Sequence, residues 1–222
     1  MKRKLFILFN ILIFVFVVMT GCCNDSVITT EDNTQNTSEI LVKKPVIYLY
    51  PETKMQVSVK MDFNGELTYT DPIYSDGWDV TAYPDGTLVT EDNKEYKYLF
   101  WEGYNHFELN MTRGFCIKGE DTGAFLKEKL LYMGLDQGQT QEFIDFWLPQ
   151  MKDNPYNLIC FQGKEYTDNV VLDINPVPDS ELRVFMAYKA LDKPVEVESQ
   201  TLNTFTRVGF TVVEWGGCEL KD

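Results

Sequence analysis

The sequence predicts an α+β fold, a predominantly antiparallel β-sheet with a two-helix insertion in the middle of the chain. Three observations carry this. Segments with a side-chain period of two fill both halves of the chain from residue 45 onward. One stretch between them has the 3.6-residue period of amphipathic helices. Proline, glycine and asparagine punctuate the joints. A run of strands, then helices, then strands gives an antiparallel sheet with its helices gathered on one side.

The elements follow in order. Val46-Ile47-Tyr48-Leu49-Tyr50 is apolar on both faces and bounded by Pro45 and Pro51, which suits a short buried strand. Val57, Val59, Met61 and Phe63 alternate with Ser58, Lys60 and Asp62, the mark of a half-buried strand. Asn64-Gly65 then reads as a tight hairpin into a strand carrying Leu67 and Tyr69. Trp78, Val80 and Ala82 alternate with polar neighbours before the turn signal Pro84-Asp85-Gly86, and 96–101 is another strand. Residues 45–117 are thus expected to form a β-meander.

The period then changes. Asp121 can cap a helix whose buried stripe is Leu126, Leu130 and Met133, with Gly134 as its stop. Asp136 and Gln139 form a capping box for a second helix that presents Phe143, Ile144, Trp147, Leu148 and Met151 on one face. Pro149 tightens its last turn and Asn154-Pro155 ends it, so the helix pair spans 121–152. Strands return at 156–161, 170–174, 182–188 and 208–215, within a last β segment of 156–217. One composite domain, 44–222, is expected.

Composition bounds the function. The chain has 222 residues, 44% of them apolar, which is enough to build a core. Its net charge of -14 opposes nucleic-acid binding, because phosphates must be neutralised by Lys and Arg.

The N-terminus carries an address. Lys2, Arg3 and Lys4 precede an apolar run from Leu5 to Met19, which is short of the roughly 20 residues of a membrane-spanning helix. The run ends Met19-Thr20-Gly21-Cys22, which resembles the lipobox of bacterial lipoproteins. The resemblance implies a signal peptide at 1–21 and a diacylglycerol on the Cys22 thiol. Two acyl chains give a lasting hold on a bilayer, where one is marginal. The bilayer, reached through acylated Cys22, is therefore an expected partner, and the expected location is the extracytoplasmic face of the cell membrane. Residues 22–43, rich in Asn, Thr, Ser and acid, read as lipidated terminus and flexible linker.

Four strings are familiar: Lys44-Pro45-Val46-Ile47-Tyr48-Leu49-Tyr50-Pro51, Tyr98-Leu99-Phe100-Trp101-Glu102-Gly103, Phe146-Trp147-Leu148-Pro149, and Phe210-Thr211-Val212-Val213-Glu214-Trp215-Gly216-Gly217. Together they resemble a family of uncharacterised secreted or lipid-anchored bacterial proteins, over nearly all of 44–217. That family has no assigned activity, so the resemblance transfers no catalytic residue.

Candidate chemistry rests on the residues alone. Glu102 and Glu214 each end an apolar strand face beside a Trp. Desolvation at such places raises a carboxyl pKa, and two such groups at suitable separation can cleave a glycosidic bond. A hydrolase of envelope glycan or peptide built on this pair is one reading, and structural pairing with Arg113, Arg183 or Arg207 is the other. Trp78, Tyr83, Trp101, Tyr104 and Trp215 are candidates for a sugar-stacking cleft, which makes cell-wall polysaccharide or peptidoglycan an expected partner. His106 stands alone, which is a poor start for a metal site. Asp71, Asp76, Asp79 and Asp85 are oxygen-rich but lack EF-hand spacing, so no metal is expected, and no motif calls for a cofactor. Cys116, Cys160 and Cys218 match no zinc or redox spacing and read as core thiols. The sum is a membrane-anchored extracytoplasmic lipoprotein, a non-catalytic envelope or ligand-binding module, with the hydrolase as alternative.

Overall fold

A computed structural model describes residues 40–221. The signal segment, Cys22 and the linker up to residue 39 lie outside the described residues. The elements are β1 (Ile40–Tyr50), β2 (Met55–Phe63), β3 (Gly65–Asp71), β4 (Trp78–Ala82), β5 (Leu88–Val89), β6 (Glu95–Tyr96), β7 (Leu99–Asn105), β8 (Phe115–Lys118), α1 (Thr122–Met133), α2 (Gln137–Met151), β9 (Tyr156–Gln162), α3 (Lys164–Thr167), β10 (Val170–Asn175), β11 (Ser180–Leu191) and β12 (Thr211–Glu219). The α+β class and the central helix pair stand as expected. Strand β1 starts at Ile40, so residues 40–43 belong to the fold and not to the linker.

The strands form two sheets. The larger has seven in the order β3-β7-β1-β12-β11-β9-β8, and the smaller has five in the order β10-β2-β4-β5-β6. All pairs are antiparallel except β11 with β12. Two cores follow from side-chain alternation. Val57, Val59, Trp78 and Val80 of the small sheet pack on Ile47, Leu49, Leu99, Trp101 and Val212 of the large one. On the opposite face of the large sheet, Val46, Tyr48, Val213 and Trp215 meet Leu126, Leu130, Phe143 and Trp147 of the helix pair. The large sheet is therefore the middle of three layers, and β1 and β12 are apolar on both faces for that reason.

The expected meander is corrected. β2 and β3 follow one another in sequence but lie in different sheets, so Asn64-Gly65 joins no hairpin. Asn64 instead turns the chain from one sheet to the other, giving its N–H to Asn169 O at 2.8 Å and accepting from His106 N at 3.0 Å. A Cβ on Gly65 would fall on the Tyr104 carbonyl and the Phe63 ring, so glycine serves close approach here. The strand expected at 96–101 is likewise split, with β6 in the small sheet and β7 in the large one. Alternation reports which faces are apolar, but it does not report which sheet each strand joins.

The signals of the second helix and the stop of the first hold, but Asp121, which precedes α1, makes no side-chain capping bond. The Asp136 side chain accepts from Gln139 N, and Gln139 returns the bond to Asp136 N. Gly134 caps α1 in the left-handed region at φ 110°. Pro149 sits in the last turn of α2, where it breaks no long run of helical bonds.

The four familiar strings meet in one place. Val46 pairs with Trp215, Ile47 with Glu214 and Tyr48 with Val213. A Cβ on Gly216 would lie 2.9 Å from Pro45, and one on Gly217 would strike the Met186 carbonyl and approach Trp147 at 3.0 Å. With Phe100 of the second string opposite Val46, the four strings bring β1, β7, β12 and α2 together.

Candidate functional site

The two glutamates singled out in the sequence do not converge. Glu214 pairs with Ile47, and Ile47 pairs with Leu99, so all three face the small sheet. Glu102 lies three residues on from Leu99, on the alternate face with Phe100, which packs toward the helix side. One sheet thus separates the two carboxylates. A glycosidase pair must flank a single bond, so this arrangement does not provide one.

Glu214 is a structural anchor. Its side chain is 1% exposed and accepts from Arg183 Nε at 2.7 Å. Tyr166 OH donates to it at 3.0 Å and Trp101 Nε1 at 3.4 Å. Arg183 also donates to the Val170 carbonyl at 2.7 Å, which ties the large sheet to β10 of the small one. Burial opposes the charge of Arg183, but the neighbouring Glu214 carboxylate outweighs it and holds the guanidinium charged. Burial, then the Glu214 charge, keeps the Tyr166 phenol protonated as a donor. Burial also raises Glu181, whose carboxylate lies 3.6 Å from Arg183. Donors surround the buried Glu214 carboxylate and leave it no exposed face for a substrate. Arg183 is thus the structural partner of Glu214, while Arg113 pairs with Glu198 and Arg207 with Asp136.

The proposed aromatic cleft is dispersed. Trp78 and Trp101 are buried between the sheets, and Trp215 is buried under the helices. Trp78 gives its indole N–H to Pro72 O at 2.8 Å. Tyr83 opens the turn after β4, with Lys54 Nζ 5.1 Å from its ring centre. Tyr104 alone stays on an exposed sheet face, at 36%. The Trp residues were candidates because sequence cannot tell an aromatic that fills a core from one that lines a cleft.

A different aromatic set is assembled on the helix-side face of the large sheet, from β3, β1 and the start of β7. Tyr69 and Phe100 meet edge to face at 5.7 Å, and Tyr98 and Tyr48 do so at 5.3 Å. Tyr48 then lies parallel to Tyr50 at 6.0 Å. Lys44 bridges the two halves, with Nζ 5.1 Å from the Phe100 ring centre, 4.8 Å from that of Tyr98 and 3.0 Å from the Tyr98 hydroxyl. Lys44 holds φ at 58°, a left-handed conformation uncommon for a side-chain-bearing residue. Its N–H bonds Glu102 Oε1 at 3.3 Å, and that fixes the carboxylate beside the row of rings. The row opens at Tyr69, which is 56% exposed. At its other end, Tyr48 OH donates to Glu142 at 2.8 Å, and Gln139 donates to Tyr50 OH at 3.1 Å. Beyond Tyr50 lies a hollow of about 310 Å³ that also presents Tyr96, Asp85 and Glu95.

Sequence reasoning reached Glu102 and Tyr104 in this region but passed over Tyr69, Tyr98, Phe100 and Lys44. The readable signal was an excess of Tyr, 12 in the chain, concentrated in strands that pair only through long-range contacts.

Other candidates resolve as follows. His106 is exposed at the end of β7, and the aspartates do not gather: among the described residues no group of three or more His, Cys, Asp or Glu could hold a metal ion. Cys160 and Cys218 both lie opposite Ala187, one on each side, which sets them two strand spacings apart, about 10 Å. That exceeds disulfide reach, and all three thiols are free.

Comparison with known proteins adds one relative. The chain is 48% identical over 63 residues to an uncharacterised protein of the bglA 3' region in Butyrivibrio fibrisolvens, a match spanning 27% of this chain and 65% of that relative. No family model and no solved structure matches.

Proposed function

We propose that this chain is an extracytoplasmic lipoprotein, fastened to the membrane through acylated Cys22, whose folded domain binds a glycan of the cell envelope without catalysis. The observation that carries the binding role is the row Tyr69, Phe100, Tyr98 and Tyr48, bridged by Lys44 and open at Tyr69. The C–H faces of a pyranose ring are apolar and stack on aromatic faces, while its hydroxyls need nearby donors and acceptors. Glu102 and Lys44 supply both kinds of polar group beside the rings. An exposed row of rings suits a polymer lying across it, whereas a small molecule needs a concave site.

The lipobox-like end at Cys22 supports the anchoring half of the reading, because it follows a basic cluster and an apolar run too short to span a membrane. The separation of Glu102 from Glu214 supports the non-catalytic half.

The test is sedimentation with insoluble, protein-free cell-wall glycan. The chain pellets with the glycan and soluble fragments of the same polymer release it. Failure to pellet above the level of an inert acidic protein would overturn the proposal.

A further inference from the structure

Strand β11 is paired along the whole of one edge and only part of the other. Ser180 N donates to Phe210 O at 3.3 Å, and Tyr188 O accepts from Leu220 N at 2.7 Å. Backbone groups alternate in direction along a strand, so the even-numbered residues of β11 turn to β12 and the odd-numbered ones to β9. Phe161 agrees with this. Its N–H and C=O both bond the Gln200 side chain at 2.8 Å, which turns them away from its partner Met186. Strand β9 ends at Gln162, opposite Phe185, and the chain leaves into α3. The N–H and C=O of Arg183 and Glu181 therefore face no strand, and among the described residues they have no hydrogen-bond partner.

A hollow of about 490 Å³ lies where β9 departs, lined by Gln162 and Gly163 and by residues 182–185 of β11. That volume falls within the range of about 300–1,000 Å³ of ligand sites. Its two faces differ. Leu182 and Val184 turn to the helix side, where Met133 and Leu202 also line the hollow. Arg183 turns to the other side, with Gln162, whose Oε1 accepts from Asn110 N at 2.8 Å. A guest strand lying beside β11 would place the residue opposite Arg183 on this polar face, and its neighbours on the apolar one.

We infer that the hollow takes an extended peptide segment of a partner protein, added antiparallel to β11 in the course that β9 abandons. Apolar residues lie opposite Leu182 and Val184, and a polar one lies opposite Arg183. Main-chain bonds to Glu181 and Arg183 give affinity, and the alternate side chains give the choice of sequence. The unpaired groups are donors and acceptors in strand register, which a peptide matches and a sugar does not. Because residues 199–203 also line the hollow, a free segment enters where the edge of a second folded sheet does not. The inference is independent of the glycan surface around Phe100.

The experiment uses the full chain and a fluorescent peptide, Val-Ser-Val-Ser-Val with blocked ends, and reads its anisotropy. Two copies of the peptide carry N-methyl groups, one on both serines and one on two of the valines. In antiparallel register the serine N–H groups face Arg183 and Glu181, and the valine N–H groups face away. The serine-methylated peptide is expected to bind at least about fivefold more weakly than the valine-methylated one, as the loss of two hydrogen bonds requires. These arms need no variant of the protein. Glu181→Pro then removes an edge donor that the β12 ladder does not use, and weakens the unmodified peptide by a similar factor, while Glu181→Gln does not. Equal weakening by the two methylation patterns, the reverse order, or no binding up to about 1 mM peptide would overturn the inference. Self-association of the chain that Glu181→Pro abolishes would give the edge to a second copy and overturn it too.

Discussion

Arg183 and Glu214 stand opposite one another on the one parallel strand pair of the described residues, and Arg183 Nε donates to Glu214 Oε2 at 2.7 Å. Their side chains are 9% and 1% exposed. A buried pair of this kind weighs little against a well-packed apolar replacement, but half of it is costly. Arg183→Met is therefore expected to destabilise the fold by about 3–5 kcal/mol, and Arg183→Met with Glu214→Leu to recover most of that loss. Urea unfolding of the single and double variants measures both. Equal destabilisation in the two would contradict the assignment of Glu214 as a structural anchor.

Gly217→Ala tests the meeting point of the familiar strings. The added methyl would strike the Met186 carbonyl and approach Trp147, and both are buried. Overpacking at such a site costs about 1–3 kcal/mol. A thermal melt reads this directly, and an unchanged midpoint would show that β12 and α2 do not pack as described.

The buried thiols give the fold an alkaline limit. Burial pushes Cys160 from the ordinary 9.0 up to about 11, and Cys218 further in the same direction. Below pH 9 these thiols are protonated in both the folded and unfolded chain. Above it the unfolded chain sheds protons that the fold retains, so stability falls as pH rises toward about 11, by at most about 1.4 kcal/mol per pH unit for each thiol. Tyr48, Tyr166 and Tyr188, all raised from 10.0 first by burial, steepen the fall above that pH. Urea midpoints between pH 8 and pH 10.5 follow it, and Cys160→Ala is expected to flatten the profile. A profile without slope would contradict the burial of these thiols.

Anchoring is tested in growing cells. A radiolabelled fatty acid is expected to enter the protein covalently, and Cys22→Ser to abolish the label and release the chain from the membrane fraction. Label retained in the variant would refute the anchor.

Much of the fold was legible because local signals agree with the final structure. The Asp136–Gln139 capping box, the Gly134 stop and the Leu126, Leu130 and Met133 stripe each depend on neighbours within one helix. The assignment of β2 and β3 to different sheets was not legible, because Asn64-Gly65 has the same composition as a hairpin turn and pairing is decided by distant strands. The row of rings was half legible for the same reason. Tyr69 and Phe100 are 31 positions apart and meet only through the β3–β7 register, in which Tyr69 lies opposite Glu102.

The central claim is that the open row of rings binds glycan. Its most direct test is the binding isotherm of the full chain on insoluble cell-wall glycan beside that of Tyr69→Ala/Phe100→Ala. Each lost stacking contact removes on the order of 1 kcal/mol, so the variant is expected to bind at least about tenfold more weakly while remaining folded at the assay temperature. An isotherm that overlays that of the unaltered chain would contradict the account.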